Sequence, residues 1–288
     1  MIIQNGIKIY PHLDWESKIL LSEGTMIAKG TASNGIPYRD NAFKPVKPWR
    51  DANEEERELL LAQDGDEEPD LNSIINIIKL PDHVVDELKE FKLQNINSKF
   101  KFNHYRDLYG AKLNQSIGHI NQYLKTLLLE NQPVPPASFT FNQPNLETVT
   151  VYLKFNSLGG LHIDNFDGFS LGETEQAGRR LCINLGVEVR HLLYVNQPIN
   201  TMIEWMKTKK TVVKEYSQWH LYKDFMTYFS EYPVVKIPIQ PYEAYIAPTE
   251  NMIHEGCTEG TTHYDVSLSY RGAFKNTCPK PVFNSQVY

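Results

Sequence analysis

Cysteine is scarce in this sequence. The chain has 3 cysteines, widely spaced at Cys182, Cys257 and Cys278, and no CxxC pair. An odd and sparse set of this kind is typical of reduced thiols in a reducing compartment and argues against a disulfide framework. The lack of CxxC pairs also argues against a structural zinc ribbon. We therefore expect a cytoplasmic protein.

Long hydrophobic runs are also missing. No stretch of about 18 apolar residues occurs, which predicts that the chain has no membrane-spanning helix. The first residues, Met1 to Gly6, contain neither the basic region nor the apolar region of a signal peptide, so we expect none. Both features predict a soluble protein.

Positive charge is not in excess. The chain has 29 Lys and Arg against 35 Asp and Glu, which gives a net charge of −6. Binding to nucleic acid or to an anionic membrane depends on a basic face that neutralises phosphates. We therefore expect no nucleic-acid partner and no membrane partner. The same charge balance is compatible with a local basic pocket for a small anion.

What the sequence does have is the composition of a globular protein. Its 288 residues are 41% hydrophobic and 22% charged, which supports a real core. We predict a single domain over 1–288, with an N-terminal wrapping region of helices and strands over 1–147. Within that region we expect short strands and loops over 1–50. The acidic stretch 51–70 predicts a solvated helix and an exposed loop, or alternatively a patch that binds a partner.

Two helices are predicted in the second half of the wrapping region. The first begins after Pro81-Asp82, and both show apolar residues about one helical turn apart. These residues are Val84, Val85, Leu88 and Phe91 in the first helix, and Leu113, Ile117, Ile120, Leu124 and Leu127 in the second. The Pro135-Pro136 pair cannot continue a helix and marks the end of the second one.

From residue 148 the hydrophobic period changes from 3.6 to 2, which is typical of strands. The predicted strands cover 148–156, 181–186, 187–196, 234–239, 242–247 and 264–270. In the first of them, alternate residues on one face are apolar: Val149, Val151, Leu153 and Phe155. Helices followed by at least six short strands predict an α+β fold whose C-terminal half is a sandwich or barrel.

A helical insertion over 199–230 interrupts these strands. Its aromatic and apolar residues Trp219, Tyr222, Met226 and Phe229 recur about once per helical turn. Such a stripe is typical of core packing. The alternatives are a lid that closes over a substrate and a contact in a homodimer.

The segment from Gly159 to Gly168 contains His162 and Asp164, which are separated by one residue. On a strand, residues i and i+2 point the same way, so the imidazole and the carboxylate can take adjacent positions on a metal. The motif alone is weak, because the chain has 9 histidines. Its place after an alternating strand and the Gly159-Gly160 turn favours a site at a strand mouth. A later histidine would complete the facial triad of two histidines and one carboxylate, which leaves metal positions free for a cosubstrate and O2.

Four later histidines are candidates for the third ligand: His191, His220, His254 and His263. His191 alternates with apolar residues and His220 lies in the helical stripe, which predicts structural positions for both. His254 follows a turn and enters a strand, whereas His263 begins the last strand and is the competing candidate. We favour His254, because Arg271 on the polar face of the following strand could then hold the far end of a bound dicarboxylate. The alternative for that polar face is contact with solvent.

Together these residues resemble the Fe(II)/2-oxoglutarate-dependent dioxygenases. The resemblance covers roughly residues 148–274 and rests on the His162-x-Asp164 motif, on the later His254 and on Arg271 in the next strand. It implies that 148–274 is a catalytic core with the fold of a double-stranded β-helix, a cupin-like jelly roll. It also implies that His162, Asp164 and His254 bind Fe(II), and that 2-oxoglutarate chelates the iron while its far carboxylate meets a basic residue.

Arg271 and Arg180 are the main candidates for the residue that meets this carboxylate, and Arg190 and Tyr152, which lies on the strand before the motif, are further options. In many members of the family the basic residue lies nearer the distal histidine than Arg271 does, a difference that a longer turn through 256–262 would absorb. Arg180 is the second candidate, because the stretch from Gly178 to Gly186 resembles the arginine-bearing strand of the aspartyl/asparaginyl hydroxylase branch, whose arginine contacts the cosubstrate. The alternative is that Arg179 and Arg180 form salt bridges at the start of a strand.

The resemblance implies an enzyme that couples 2-oxoglutarate decarboxylation to the oxidation of a substrate. Asp164 stands where the family's halogenases have a small residue, so hydroxylation of a C–H bond is expected and halogenation is not. We expect O2 and a small molecule, such as an amino acid or a natural-product intermediate, as the other substrates. The alternatives are a hydroxylase of a protein side chain, a cupin-like metal protein without 2-oxoglutarate turnover, and a binding protein in which the motif is coincidental.

Overall fold

The structure is a computed structural model that describes residues 1–15, 17–62, 70–93, 96, 99–209 and 217–276. In these ranges the helices are α1 (Glu54–Leu60), α2 (Asp82–Glu90), α3 (Lys99–Leu127), α4 (Ile199–Lys207) and α5 (Gln218–Tyr228). The strands of the N-terminal half are β1 (Lys8–Tyr10), β2 (Leu20–Leu21), β3 (Thr25–Ile27), β4 (Tyr38–Pro45), β5 (Arg50–Asp51), β6 (Ile74–Lys79) and β7 (Ser138–Asn142). Those of the C-terminal half are β8 (Val151–Tyr152), β9 (Ser157–Gly160), β10 (Arg179–Asn184), β11 (Arg190–Tyr194), β12 (Val235–Ile239), β13 (Glu243–Ala247), β14 (His254–Cys257) and β15 (Asp265–Gly272).

The described strands form three sheets in which most neighbours are antiparallel. The largest sheet has the order β1-β6-β13-β10-β15-β7, the second has the order β14-β11-β12-β2-β5, and the third has the order β3-β4-β9-β8. Parallel neighbours occur at β1–β6 and at β4–β9. The predicted α+β class is therefore confirmed, with sheets that are compatible with a β-sandwich.

The largest sheet separates two hydrophobic clusters. On β10, Leu181 and Ile183 face one way and pack in a cluster with residues of α2 and α3, whereas Cys182 faces the opposite way. Cys182 belongs to the cluster that also contains Leu192 of β11 and Ile237 of β12. The alternation along a strand thus gives one face to the helices and the other to the second sheet.

The predicted strand over 148–156 is wrong in its second half. The chain leaves β8 at Tyr152, makes a turn and returns as β9, which pairs with β8 in antiparallel register. Leu153 and Phe155 are consequently 90% and 55% exposed, although the alternating pattern placed them with the core residues. Asn156 closes the turn with a φ of 44°, a left-handed conformation that asparagine tolerates better than most residues.

The helical predictions agree with the structure. The first helix corresponds to α2, and the second corresponds to α3, which begins further upstream than its apolar pattern indicated. The insertion contains α4 and α5, while residues 210–216 lie outside the described residues. Within the described ranges, no helix combines the length and the hydropathy that crossing a bilayer requires.

The acidic stretch 51–70 is helical only in its first part, as α1. One of its carboxylates is not solvated: Glu56 is buried, caps the helix together with Asn53 and forms a salt bridge with Arg50. Residues 63–69, where the exposed loop was predicted, lie outside the described residues, as does Cys278. Cys182 and Cys257 are free and buried, which agrees with the prediction of reduced thiols.

Candidate metal centre

His162 and His254 face each other across a two-residue bridge between neighbouring chain segments. The amide of His162 donates to the carbonyl of His254 at 3.1 Å, and the amide of His254 donates to the carbonyl of His162 at 2.8 Å. Residues paired in this way project their side chains on the same side, and the two imidazole centroids lie 4.7 Å apart. The chain then runs on to Asp164, whose amide donates to the carbonyl of Thr249 at 3.1 Å.

These hydrogen bonds bring together the three predicted ligands. Each of His162, Asp164 and His254 offers one ligand atom, and the three atoms all lie within 4.8 Å of one another. The Nε2 atoms of His162 and His254 are 3.5 Å and 3.6 Å from the two carboxylate oxygens of Asp164. All three side chains are buried, so the group could hold a metal ion.

The structure explains why residue 160, which precedes the motif, is a glycine. Gly160 ends β9 with a φ of +68°, and a Cβ at this position would lie 2.2 Å from the carbonyl oxygen of Phe43 on β4. Only glycine fits both the conformation and the close approach. The Gly159-Gly160 pair was predicted to be a turn, and that prediction is wrong, because both residues belong to β9.

The outer ring nitrogens of both histidines face backbone carbonyls. The Nδ1 atom of His162 lies 2.9 Å from the carbonyl oxygen of Gly160, and that of His254 lies 3.4 Å from the carbonyl oxygen of Met252. A carbonyl accepts a hydrogen bond and cannot donate one, so each Nδ1 carries the proton when the imidazole is neutral. The Nε2 lone pairs are then free for a metal. One oxygen of Asp164 has no hydrogen-bond partner among the described residues, as expected for a metal ligand.

The pKa values of the three groups reflect their burial and their mutual contact. Burial is the main cause that lowers the pKa of His254 to about 3. Burial opposes the charge of His162 as well, but the hydrogen bond to Asp164 and the charge of Glu255 outweigh it and raise the pKa of His162 to about 9. Burial also disfavours the charge of Asp164, yet the nearby His254, His162 and Arg180 hold the pKa of its carboxyl well below the usual range. The carboxylate is therefore charged and ready to meet a cation.

Glu255 supports the site from the side opposite to the ligand atoms. Its Oε2 atom lies 3.7 Å from Nδ1 of His162 and has no hydrogen-bond partner among the described residues. Its Oε1 atom accepts hydrogen bonds from Thr150 and from the amide of Gly256, both at 2.8 Å. Carboxylates behind a ligand histidine commonly fix its orientation and raise its basicity. The sequence reasoning missed Glu255, since a glutamate beside a strand histidine carries no signal of its own.

Both predicted arginines lie next to Asp164. Arg180 and Arg271 are direct partners in the pairing of β10 with β15. Nη2 of Arg180 is 3.2 Å and Nη1 of Arg271 is 3.7 Å from Oδ2 of Asp164. The ring of Phe166 lies over both guanidinium groups, with its centroid 5.4 Å and 4.6 Å from their central carbons.

The two arginines differ in their other contacts. Arg271 also bonds to Glu250 and lies 3.5 Å from Asp167. Arg180 makes no further ion pair within the described part of the chain. Near Arg271, the polar face of β15 therefore points into the fold. The alternative that the sequence left open, in which Arg271 contacts mainly solvent, is not what the structure shows, because its side chain is 22% exposed.

The competing histidine lies elsewhere. His263 is half-exposed, and its Nδ1 atom lies 3.3 Å from Glu188. It is not part of the group that could hold a metal.

A cavity of about 450 Å³ opens onto the ligands. Its wall includes two of the three ligands, His162 and Asp164, together with the aromatic residues Tyr152, Trp219 and Tyr222. The helix α5 thus brings part of the insertion to the site. Its remaining apolar residues pack in the core as predicted.

Comparison of the chain with protein-family models, with curated proteins and with solved structures found no match.

Proposed function

We propose that the chain is a non-haem iron(II) oxygenase that uses 2-oxoglutarate and O2 to oxidise a C–H bond of a small molecule. The observation that carries the proposal is the buried group of His162, Asp164 and His254, whose ligand atoms lie within 4.8 Å of one another. Two imidazoles and one carboxylate that bind one face of a metal and leave the other positions open are typical of non-haem iron(II) oxygenases.

The strand order supports a double-stranded β-helix as the scaffold. From β10 onward, the chain contributes β10, β13 and β15 to one sheet and β11, β12 and β14 to the other. The strand β7 lies beside β15, and the bridge between His162 and His254 extends the second sheet past β14. Two facing sheets built by strands that divide between them in this way are what a jelly roll requires.

The residues around the ligands have separate tasks in the proposed reaction. Bound iron would supply the redox chemistry with O2 and the cosubstrate. Arg180 and Arg271 would offer planar donor groups to the far carboxylate of 2-oxoglutarate. Phe166 lies over both guanidinium groups and would help to hold them in place. The cavity of about 450 Å³ suits a small organic molecule better than a folded protein.

One observation favours a second candidate, a cupin-like metal protein without 2-oxoglutarate turnover. The guanidinium of Arg271 is already held by Glu250, which is itself fixed by the amides of Phe166 and Asp167 at 3.0 Å and 3.2 Å. A cosubstrate carboxylate at Arg271 would have to displace this glutamate. Arg180 has no such competitor and is the better anchor of the two.

Anaerobic titration tests the proposal. Fe(II) and then 2-oxoglutarate are added to the protein, and the visible charge-transfer band of a chelated 2-oxoglutarate is recorded, followed by succinate release in air. We expect the band with the wild-type protein and with His263→Ala, which removes a half-exposed histidine outside the site. We expect no band with His162→Ala or His254→Ala, because each removes a ligand.

The outcomes separate the two candidates. Metal binding without the band would favour the cupin-like alternative. Equal behaviour of His162→Ala and the wild-type protein in metal binding would refute the metal centre itself.

A further inference from the structure

Arg39 has an unusual setting beside the cavity. Its guanidinium carbon lies 4.6 Å from the ring centroid of Trp219 and 4.9 Å from those of Tyr152 and Phe155. Stacking of this kind stabilises a cation through the faces of the group. Stacking does not engage the N–H donors, which lie in the plane of the guanidinium, and these donors make no hydrogen bond within the part of the chain that the structure describes.

A second cation shares one of these rings. The Nζ atom of Lys223 lies 3.7 Å from the ring centroid of Trp219. Burial, and after it the charge of Arg39, lowers the pKa of Lys223, whereas the charge of Asp40 raises it. The two cations are thus close enough to repel each other, and Asp40 offsets this repulsion only in part, so a further negative charge would stabilise them.

Neither cation has a carboxylate partner within 4.0 Å in the part of the chain that the structure describes. Other partly buried lysines do have one: Lys44 lies 2.7 Å from Glu147, and Lys236 lies 3.3 Å from Glu259. The lack of a direct ion pair within the described residues therefore distinguishes Arg39 and Lys223 from these lysines.

The two cations stack on residues that line a cavity beside the metal centre, although neither cation is itself part of the cavity wall. Tyr152 and Trp219, on which Arg39 stacks, both line that cavity together with His162 and Asp164. The helix α5 begins at Gln218 on the same wall, and the side chain of the preceding Ser217 does not cap it. The first N–H groups of a helix have no intrahelical acceptor and carry a partial positive charge. The start of α5 therefore adds positive potential to the wall on which Arg39 and Lys223 stack.

We propose that Arg39 and Lys223 form a subsite for the anionic group of the substrate, a carboxylate or a phosphate. The aromatic wall formed by Tyr152, Trp219 and Tyr222 then lines the path of the rest of the molecule to the metal ligands. The assignment of the ligand as substrate rests on the function proposed above. The subsite as an anion-binding site does not depend on it.

Calorimetric titration of the metal-free protein tests the subsite without involving the metal. The protein is passed over a chelating resin and titrated with phenyl phosphate, with benzoate and with the neutral benzyl alcohol. The variants are Arg39→Met, Lys223→Met and the double variant, which remove the charges and keep long apolar side chains. Lys209→Met is the matched control, because Lys209 also stacks on an aromatic ring, with its Nζ atom 5.6 Å from the Phe229 centroid, but that ring does not line the cavity.

We expect at least one of the two anions to bind to the wild-type protein and to Lys209→Met with equal affinity. Each single variant should bind that anion about tenfold more weakly, which corresponds to about 1.4 kcal/mol. The double variant should show no measurable binding, and benzyl alcohol should not bind to any of the proteins. The anion that binds more tightly identifies the substrate group as a phosphate or a carboxylate. Thermal unfolding of each variant verifies that it is folded.

Unchanged affinity in the folded double variant would overturn the subsite, as would binding of benzyl alcohol as tightly as benzoate. The absence of binding by either anion to the wild-type protein would also overturn it. These failures are distinct from failure of the proposed function, which shows as a missing charge-transfer band with Fe(II) and 2-oxoglutarate. The band is recorded on the same variants and is expected to persist in all of them.

Discussion

Arg179 and Arg180 are neighbours in sequence, but the structure gives them opposite tasks. Arg179 is buried, and its guanidinium joins three segments of the largest sheet. Nη2 of Arg179 donates to the carbonyl oxygens of Ile74 and Ile246 at 3.0 Å and 3.1 Å and to Oδ1 of Asn76 at 3.1 Å. Nη1 donates to the carbonyl oxygen of Phe274 at 3.4 Å.

The substitution Arg179→Met should therefore destabilise the protein strongly. Four buried acceptors lose their donor, and each acceptor left without a partner costs about 1 kcal/mol. We expect the free energy of unfolding to fall by about 4 kcal/mol, which lowers Tm by roughly 8–16 °C. The matched substitution is Arg180→Met, since Arg180 points to Asp164 and its side chain is 23% exposed. Its expected cost to stability is smaller, because one partly exposed guanidinium is lost and Arg271 remains beside the buried Asp164.

Urea unfolding of both variants, followed by circular dichroism, measures the difference, and binding of Mn(II) serves as the second readout. Arg179→Met should bind Mn(II) normally as long as it is folded. Arg180→Met should lose 2-oxoglutarate binding to the metal-loaded protein. Equal destabilisation by the two substitutions would refute the assignment of the two side chains to opposite faces of β10.

Glu255→Gln should weaken binding of Mn(II) or Fe(II) by about 10–100-fold, because the amide no longer supports Nδ1 of His162 as a carboxylate does. Equilibrium dialysis measures the affinity. The control is Glu259→Gln, which lies away from the ligands and should leave the affinity unchanged. Burial and the charge of Lys236 lower the pKa of His191 to about 4 in the folded protein, whereas in the unfolded chain the same histidine takes up a proton near pH 6.5. The free energy of unfolding should therefore fall as the pH is lowered from about 6.5 towards 4. His191→Gln should make urea unfolding less dependent on pH in this range, and an unaltered pH dependence would contradict the assigned cause.

The sequence predicts helices and strands best where the repeat of apolar residues continues without interruption through the whole element. The strands β10, β11, β12, β13 and β15 and the helices α2 and α3 were recognisable because their apolar residues repeat with the period of the element over most of its length. The pattern misled at Leu153 and Phe155, where alternation continued through a turn. Short strands such as β2 and β5 contain two residues each, too few for any period to be visible.

The candidate site was predictable for a different reason. The two-residue spacing of His162 and Asp164 is local, and the third ligand could be chosen from four histidines by their place relative to the strands. Glu250 and Glu255 were not predictable, because their contacts to Arg271 and His162 come from the fold and not from a spacing. Arg39 could not be predicted either, because it precedes the motif by more than a hundred residues. It comes close to Trp219, on the cavity wall, only because β4 lies beside α5 in the folded chain.

The charges around Asp164 indicate an order of binding for the proposed reaction. Asp164, Asp167 and Glu250 place three carboxylates around Arg180 and Arg271, and Glu255 lies buried behind the ligands. A dicarboxylate that approached this group without a metal would meet carboxylates that outnumber the guanidinium groups. A divalent cation on the ligands adds two positive charges at the point where the dicarboxylate must bind, and at such short range Coulomb interactions in a buried site are screened only weakly. In the proposed reaction we therefore expect the metal to bind before the cosubstrate, and the arginines to act mainly by orienting an anion that the metal attracts.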